Sequence, residues 1–358
     1  MRIVLLGPYY PDVGGVQVYN TMLAGELARR GHEVTVVSYG WARSRWGERV
    51  IRLPTPRVPG IRGTSFMAAS ALRLAASLGD ADAVVAQYAK TSGVAAWIGR
   101  ALGGPPYVPV FHGTDALVGM GAWLLRRACR SAPAVATVSS HLAGVVRERF
   151  GVEPRVIRGG VDIEAFRSLP ERGEDVRERM GIPADAQVVG IVGSLVPVRD
   201  PELALRAALS HPDALVLVAG DGPLRPRLEE LARREGAGRV VFLGKVPHER
   251  IPLVLRACDL TLHTPRWEGF GLTALESMAA GTPPLAARVG ALPEFVKDGH
   301  TGFLADRSLE ALSERLREVL SDRDALERVS REAREFALSR GWDAVAREFE
   351  SLLEEVVS

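Results

Sequence analysis

Arg266-Trp-Glu-Gly-Phe-Gly-Leu-Thr-Ala-Leu-Glu-Ser-Met-Ala-Ala-Gly281 is the stretch from which the rest of the chain can be read. Its first half is rich in glycine and cannot pack as an ordinary helix. Its second half, from about Leu272 to Ala280, reads as a helix with small residues that permit close packing. A Gly-rich loop that opens a helix gathers unbonded backbone N–H groups and the positive end of a dipole in one place, which suits phosphate. Glu268 stands before that loop and Glu276 lies along the helix. Carboxylates repel phosphate but accept hydrogen bonds from sugar hydroxyls. Phosphate donors beside hydroxyl acceptors suggest a nucleotide-sugar site. The bare spacing of two glutamates carries little, because a helix-start carboxylate and a solvated helix residue give the same spacing.

The chain around this string has 358 residues, enough for two domains with separate cores. Apolar residues make up 47% and charged residues 25%, as in globular proteins. Cys129 and Cys258 are far apart, so neither a disulfide framework nor a zinc spacing is expected. The short apolar run after Met1 ends at Gly7-Pro8 and reads as a buried first strand rather than a leader. No run of about 20 apolar residues occurs, and a cytoplasmic location is expected. The net charge of +2 is uneven. Residues 1–165 hold 19 Lys and Arg against 11 Asp and Glu, whereas residues 166–358 hold 26 against 32. The front half therefore suits an anionic acceptor or lipid surface.

Short apolar runs alternate with longer amphipathic segments. Strands are expected at 2–7, 33–38, 82–87, 107–111, 134–138 and 155–158, with helices such as 15–31, 65–79, 91–102 and 140–150 between them. The pattern then restarts, with strands at 188–193, 214–219, 240–243, 259–263 and 284–287 and helices at 200–210, 223–236, 247–257 and 271–281. Repeated strand–helix–strand units imply parallel sheets covered on both faces. The polar segment 166–186 marks a junction, giving domains at 1–165 and 166–341. The tail from 308 is charged and helical, with a break at Gly341-Trp342. Two doubly wound domains leave a cleft, and ligands in such sheets bind beyond the carboxyl ends of the strands.

The other motifs follow strands. Gly14-Gly15 precedes a helix and reads as a tight turn or as a second place where amides meet a phosphate or sugar. Phe111-His112-Gly113-Thr114-Asp115 ends a strand; His112 reads as a ligand to a sugar hydroxyl or as a loop histidine, and Asp115 as a cap. In Gly193-Ser-Leu-Val-Pro-Val-Arg199-Asp200-Pro201, Arg199 can pair with phosphate, and Asp200-Pro201 reads as N-cap and first helical residue. Ala219-Gly-Asp-Gly222-Pro and Phe242-Leu-Gly-Lys-Val246 are strand-end turns that can border a base. Gly290-Ala-Leu-Pro-Glu294 adds a carboxylate after another strand.

Together and in order, these pieces resemble the retaining glycosyltransferases of family four, across essentially the whole chain and most strongly over 188–304. Glu268 to Glu276 matches the family's Glu-x-seven-Glu motif. The resemblance implies a GT-B fold: two Rossmann-like α/β domains, with a terminal helix of about 342–358 crossing back to the first. It implies a hexosyl transfer from a UDP- or GDP-sugar with front-face retention of configuration, and neither metal nor cofactor. His112 and Glu268 would take catalytic roles near the donor sugar. Gly14, Gly15, Ser194, Arg199, Gly222, Val246, Phe270, Gly271, Leu272 and Glu276 would hold the donor, Glu276 through the ribose hydroxyls. One departure stands out. Family members commonly carry arginine and lysine where this chain has Ser194 and Arg199, so one phosphate-neutralising cation is missing. A catalytically weak or inactive nucleotide-sugar-binding protein is therefore the alternative.

The acceptor, whether lipid, glycan or small molecule, is not legible, because acceptor loops carry no readable code. Trp41-Ala-Arg-Ser-Arg-Trp46 and Trp123-Leu-Leu-Arg-Arg127 mix aromatic and basic residues and suit peripheral contact with an anionic inner membrane face, or equally a solvated loop and an ordinary amphipathic helix. No basic run or recognition module suggests nucleic acid.

Overall fold

The computed structural model describes the chain apart from residues 12–13, 57–60, 118, 120 and 170–172, and the side chains of 173–175. Asp12 and Val13 of the first Gly-rich string, and part of the expected junction segment, thus lie outside the described residues. The chain divides into two compact units, Met1–Gly159 with Trp342–Ser358, and Gly160–Gly341. The first break falls six residues ahead of the expected 165/166.

The first unit is built on a seven-stranded parallel sheet. Its strands are β1 (Arg2–Leu6), β2 (Glu33–Tyr39), β3 (Arg49–Leu53), β4 (Ala83–Gln87), β5 (Tyr107–Phe111), β6 (Ala136–Thr137) and β7 (Arg155–Val156). Their order is β3-β2-β1-β4-β5-β6-β7. Every residue of β4 and β5 is buried, as expected of central parallel strands covered on both faces. Strand β3 was not expected. Its sequence, Arg-Val-Ile-Arg-Leu, mixes arginine with apolar residues and lies at the sheet edge, where only one side is paired.

The helix Trp342–Val357 belongs to this unit. Trp342 meets the ring of Tyr19 edge-on at 5.0 Å, and Phe349 does so at 6.3 Å. Glu350 fixes the same helix, accepting from Arg30 Nη2 at 2.6 Å and lying 2.6 Å from His32 Nε2.

The second unit holds a six-stranded parallel sheet of β8 (Gln187–Val192), β9 (Ala214–Ala219), β10 (Val240–Gly244), β11 (Leu260–His263), β12 (Pro284–Ala287) and β13 (Phe303–Ala305), in the order β10-β9-β8-β11-β12-β13. The three-residue β13 is too short to leave a period-two pattern and was also not expected. The core between this sheet and its helices is aliphatic, built on Val189, Leu205, Val216, Leu260, Leu285 and Leu316. No described helix is long and apolar enough to cross a membrane. Both cysteines are buried, and burial pushes each thiol up to about 12.

Candidate functional site

In the second unit the loops after successive strands are tied to one another. Gly220 N donates to Gly244 O at 2.8 Å, Leu195 N to Asp221 O at 3.0 Å, Arg266 N to Val198 O at 2.8 Å, and Ala291 N to Glu268 O at 3.2 Å. The carboxyl ends of β8 to β12 thus form one continuous rim. Ser194, Arg199, Gly222, Glu268 and Gly271 all lie on it, and Val246 follows the end of β10, half-buried. Close approach explains the glycines. A Cβ on Gly222, where φ is +157°, would meet Leu195 O at 2.5 Å, and one on Gly290, at φ +58°, would meet Glu268 O at 2.1 Å.

The helix Leu272–Ala279 starts from Gly271, whose φ of +103° is a left-handed conformation suited to glycine. No side chain caps it among the described residues. Its ladder begins with Ala274 N and Leu275 N donating to Gly271 O, which leaves the Leu272 and Thr273 amides at the helix opening. Phe270 buries its ring against Phe295, at 5.3 Å between centroids. Arg199 Nη1 donates to Glu268 Oε2. Glu276, 8% exposed, lies 2.8 Å through Oε1 from His248 Nε2. Each glutamate of the string therefore carries a basic partner brought from another strand end.

Asp200 departs from expectation. It holds the N-cap position before Pro201, but its φ is +46° and its side chain makes no cap bond. The carboxylate instead receives Arg307 Nη2 and, at 3.2 Å, Arg266 Nε. His263 ends β11, with Nε2 3.0 Å from Thr261 Oγ1, and burial together with the charge of Arg199 pushes its pKa down to about 3. Ser194 is exposed and brings no cation to the rim.

In the first unit, Gly14 is extended at φ 179° and precedes the helix Gly15–Arg29, which has no side-chain cap among the described residues. His112 follows β5, half-buried, with Nε2 2.5 Å from Gln87 Oε1 and its ring edge-on to Tyr19 at 5.0 Å. Burial pushes its pKa down to about 3, so the imidazole is neutral at physiological pH. Asp115 is fully buried and, among the described residues, caps no helix. It accepts from the amides of His112 at 3.0 Å, Gly113 at 2.8 Å and Ala89 at 2.9 Å, and so builds the turn that carries His112. Burial raises its pKa to about 6 against those three bonds. Gln87, His248, His263 and Arg307 were not anticipated. Of these, Gln87 and His263 stand at the ends of strands expected at 82–87 and 259–263, and only that position left a mark in the sequence.

The profile described as Glycosyltransferase Family 4 matches residues 13–165, and that described as Glycosyl transferases group 1 matches residues 173–336. The D-inositol 3-phosphate glycosyltransferase of Mycobacterium bovis is 31% identical over 341 residues, covering 84% of this chain and 69% of that one. The chain belongs to the group 1, family 4 glycosyltransferases. Across relatives of that same name, the share of their length matched by this glycosyltransferase runs from 50% to 92%. Its fold is GT-B. Sucrose-phosphate synthase from Thermosynechococcus elongatus superposes with a TM-score of 0.88 at 22% identity over 99% of both chains. The Anabaena protein Alr3699/HepE, solved in complex with UDP-glucose, gives 0.82 at 23% identity over 99% of this glycosyltransferase and 100% of that chain.

Proposed function

We propose that this glycosyltransferase moves a hexosyl group from a nucleoside diphosphate sugar to a hydroxyl acceptor, with retention of configuration and without a metal ion. The observation that carries the reading is the uncapped helix opening at Gly271, with the Arg199–Glu268 pair before it and Glu276 along it. Charge grows on the leaving phosphate as the anomeric C–O bond breaks. The helix start and Arg199 stabilise that charge more than they stabilise the ground state. The acceptor oxygen bonds the anomeric carbon on the same face, and its proton passes to the departing phosphate oxygen. Glu276 accepts from the ribose hydroxyls, Glu268 lies by the donor sugar, and the amides of Phe270, Gly271 and Leu272 face the diphosphate. Ser194, Gly222 and Val246 border the nucleotide. In the first unit, Gly14 and Gly15 offer amides, and the neutral His112 bonds a hydroxyl.

UDP is favoured as the nucleotide because a fold relative holds UDP-glucose. The excess of positive charge in residues 1–165 and the relatives named as D-inositol 3-phosphate glycosyltransferases together favour a phosphorylated polyol acceptor. A thermal-shift screen against UDP, GDP, ADP and their sugars tests the nucleotide: a ligand at about 100 times its Kd stabilises the fold by about 2.7 kcal/mol. Transfer from UDP-glucose to D-inositol 3-phosphate then tests the acceptor. No shift with any nucleotide would overturn the reading.

Ser194 favours a second reading, a nucleotide-sugar-binding protein with weak or no turnover. Ser194→Arg restores a charge-assisted bond worth about 1.5–3 kcal/mol. Tighter UDP binding with turnover gained only in the variant would support it. Peripheral attachment to anionic lipid is proposed on Trp41 and Trp123, 67% and 68% exposed, and on Arg126 and Arg127 of the helix Ala122–Ser131. Failure to sediment with anionic vesicles at low salt would remove it.

A further inference from the structure

The imidazole of His112 has an unexpected partner. A buried carboxylate, Asp115, sits three residues away, yet both its oxygens are engaged by backbone amides, Oδ1 by His112 and Gly113 and Oδ2 by Ala89. The ring is met by an amide side chain instead. Gln87 ends β4, is 0% exposed, and places Oε1 2.5 Å from His112 Nε2. Its own Nε2 is buried without a hydrogen-bond partner among the described residues, so the amide is committed to the histidine through Oε1 alone. Space for this side chain is held open by Gly7, at φ +148°, where a Cβ would lie 2.7 Å from Gln87 O and 3.1 Å from Gln87 Cβ. The ionisable groups bonded to or stacked against the histidine turn are Tyr19 from the helix Gly15–Arg29, Tyr88 through Thr114, and Asp115.

We propose that Gln87 is a positioning residue that holds His112 in a single tautomer, with Nε2–H donating to Gln87 Oε1 and Nδ1 left as a hydrogen-bond acceptor for a substrate hydroxyl. An amide is the suitable partner for this task. A carboxylate in its place would favour the imidazolium, which has no acceptor and would set a positive charge where a neutral hydroxyl must bind. A neutral amide fixes the ring by geometry and leaves its charge unchanged. Among the described residues Nδ1 has no protein partner, and the half-buried ring keeps an open edge. This assignment rests on the proposed role of His112 in substrate binding.

The decisive measurement needs neither substrate nor a variant of Gln87. Long-range nitrogen–proton correlation spectra of the full chain, with histidine ring nitrogens labelled and His112 assigned through His112→Gln, should show His112 as the pure Nε2–H tautomer from pH 5 to 8. A pure Nδ1–H form, or a mixture, overturns the proposal. In Gln87→Glu the ring should titrate about 1–3 pH units higher than in the wild type. In Gln87→Met, with the far-ultraviolet spectrum and melting point checked first, the signal should become a tautomer mixture. An unchanged single tautomer in Gln87→Met would also overturn it. Turnover of His112→Ala is a separate arm: unchanged turnover there would remove His112 from substrate binding while leaving the tautomer result intact.

Discussion

Gly290→Ala is the substitution for which the structure gives the most definite magnitude. Gly290 has φ +58°, and an added Cβ would sit 2.1 Å from the backbone oxygen of Glu268, where ordinary contact begins at 3.4 Å. The two backbone segments must therefore separate by about 1.3 Å, a distance set by those two values. Neither side is the end of a flexible side chain, so the Glu268 peptide itself moves. A left-handed residue with a Cβ costs about 1–2 kcal/mol. The hydrogen bond from Ala291 N to Glu268 O, 3.2 Å long, contributes about another 0.5–1.5 kcal/mol when lost. Together these come to about 1.5–3.5 kcal/mol, which lowers the melting point by about 3–14 °C for a unit of this size. Glu268 is displaced with its peptide, and a misplacement of about 1 Å at reacting groups costs about a hundredfold in turnover. Glu276 and His248 are not touched, whereas Arg199 and the amides after Glu268 shift with it, so UDP affinity should fall by about three- to tenfold, a smaller loss than that in turnover. The assay is differential scanning fluorimetry, UDP titration calorimetry and donor turnover on the same preparation. Gly144→Ala is the control: its Cβ meets nothing within 4 Å, and helix propensity makes it neutral or stabilising by up to about 1 kcal/mol. A Gly290→Ala protein that melts within 2 °C of wild type and turns over normally would refute the reasoning.

Three further outcomes are expected. Glu276→Ala should weaken UDP binding by about 10–150-fold, the equivalent of about 1.5–3 kcal/mol of lost charge-assisted hydrogen bonding, with little change in melting point; calorimetry checks it. His263 has its pKa lowered to about 3 in the folded state, so the stability it contributes is present above about 6.5 and is lost as pH falls. From pH 7 to 4.5 that loss is about 2–3 kcal/mol in the second unit, whereas in the first unit the same loss at His112 is largely offset by Asp115, whose raised pKa works in the opposite direction. Urea melts at both pH values should show the acid sensitivity diminished in His263→Gln, and an equal loss in that variant would count against the argument. Glu350→Ala leaves Arg30 and His32 without their shared carboxylate and should destabilise the first unit by about 1–2 kcal/mol, read as a lower denaturation midpoint at unchanged m-value.

The doubly wound architecture was legible because central parallel strands, buried on both faces, are short and almost wholly apolar runs. Strands β4, β5, β9 and β12 lie where those runs predict them. The edge strands β3 and β13 escaped because an edge needs neither an unbroken apolar run nor much length. At the site, the Gly-rich opening and the two glutamates were readable as one contiguous string. Their partners were not. Arg199 and Glu268 are 69 residues apart, and His248 and Glu276 are 28 apart. Such pairs exist only because the parallel sheet gathers its carboxyl ends, and no local pattern encodes them. Asp115 was misread for a related reason. A short acid ahead of a helical pattern looks like a cap, and only the fold reveals that three amides converge on it.

The first unit is sewn from two stretches of chain, Met1–Gly159 and Trp342–Ser358, with the whole of the second unit threaded between them. During translation the groove for Trp342 and Phe349 must wait while residues 160–341 are made, roughly ten to forty seconds at ribosomal speed. Over that interval the nascent front unit carries an open apolar face around Tyr19, while its later-made neighbour can already close. Newly made chains arrested before residue 342 should therefore be the form that chaperones hold and proteases cut.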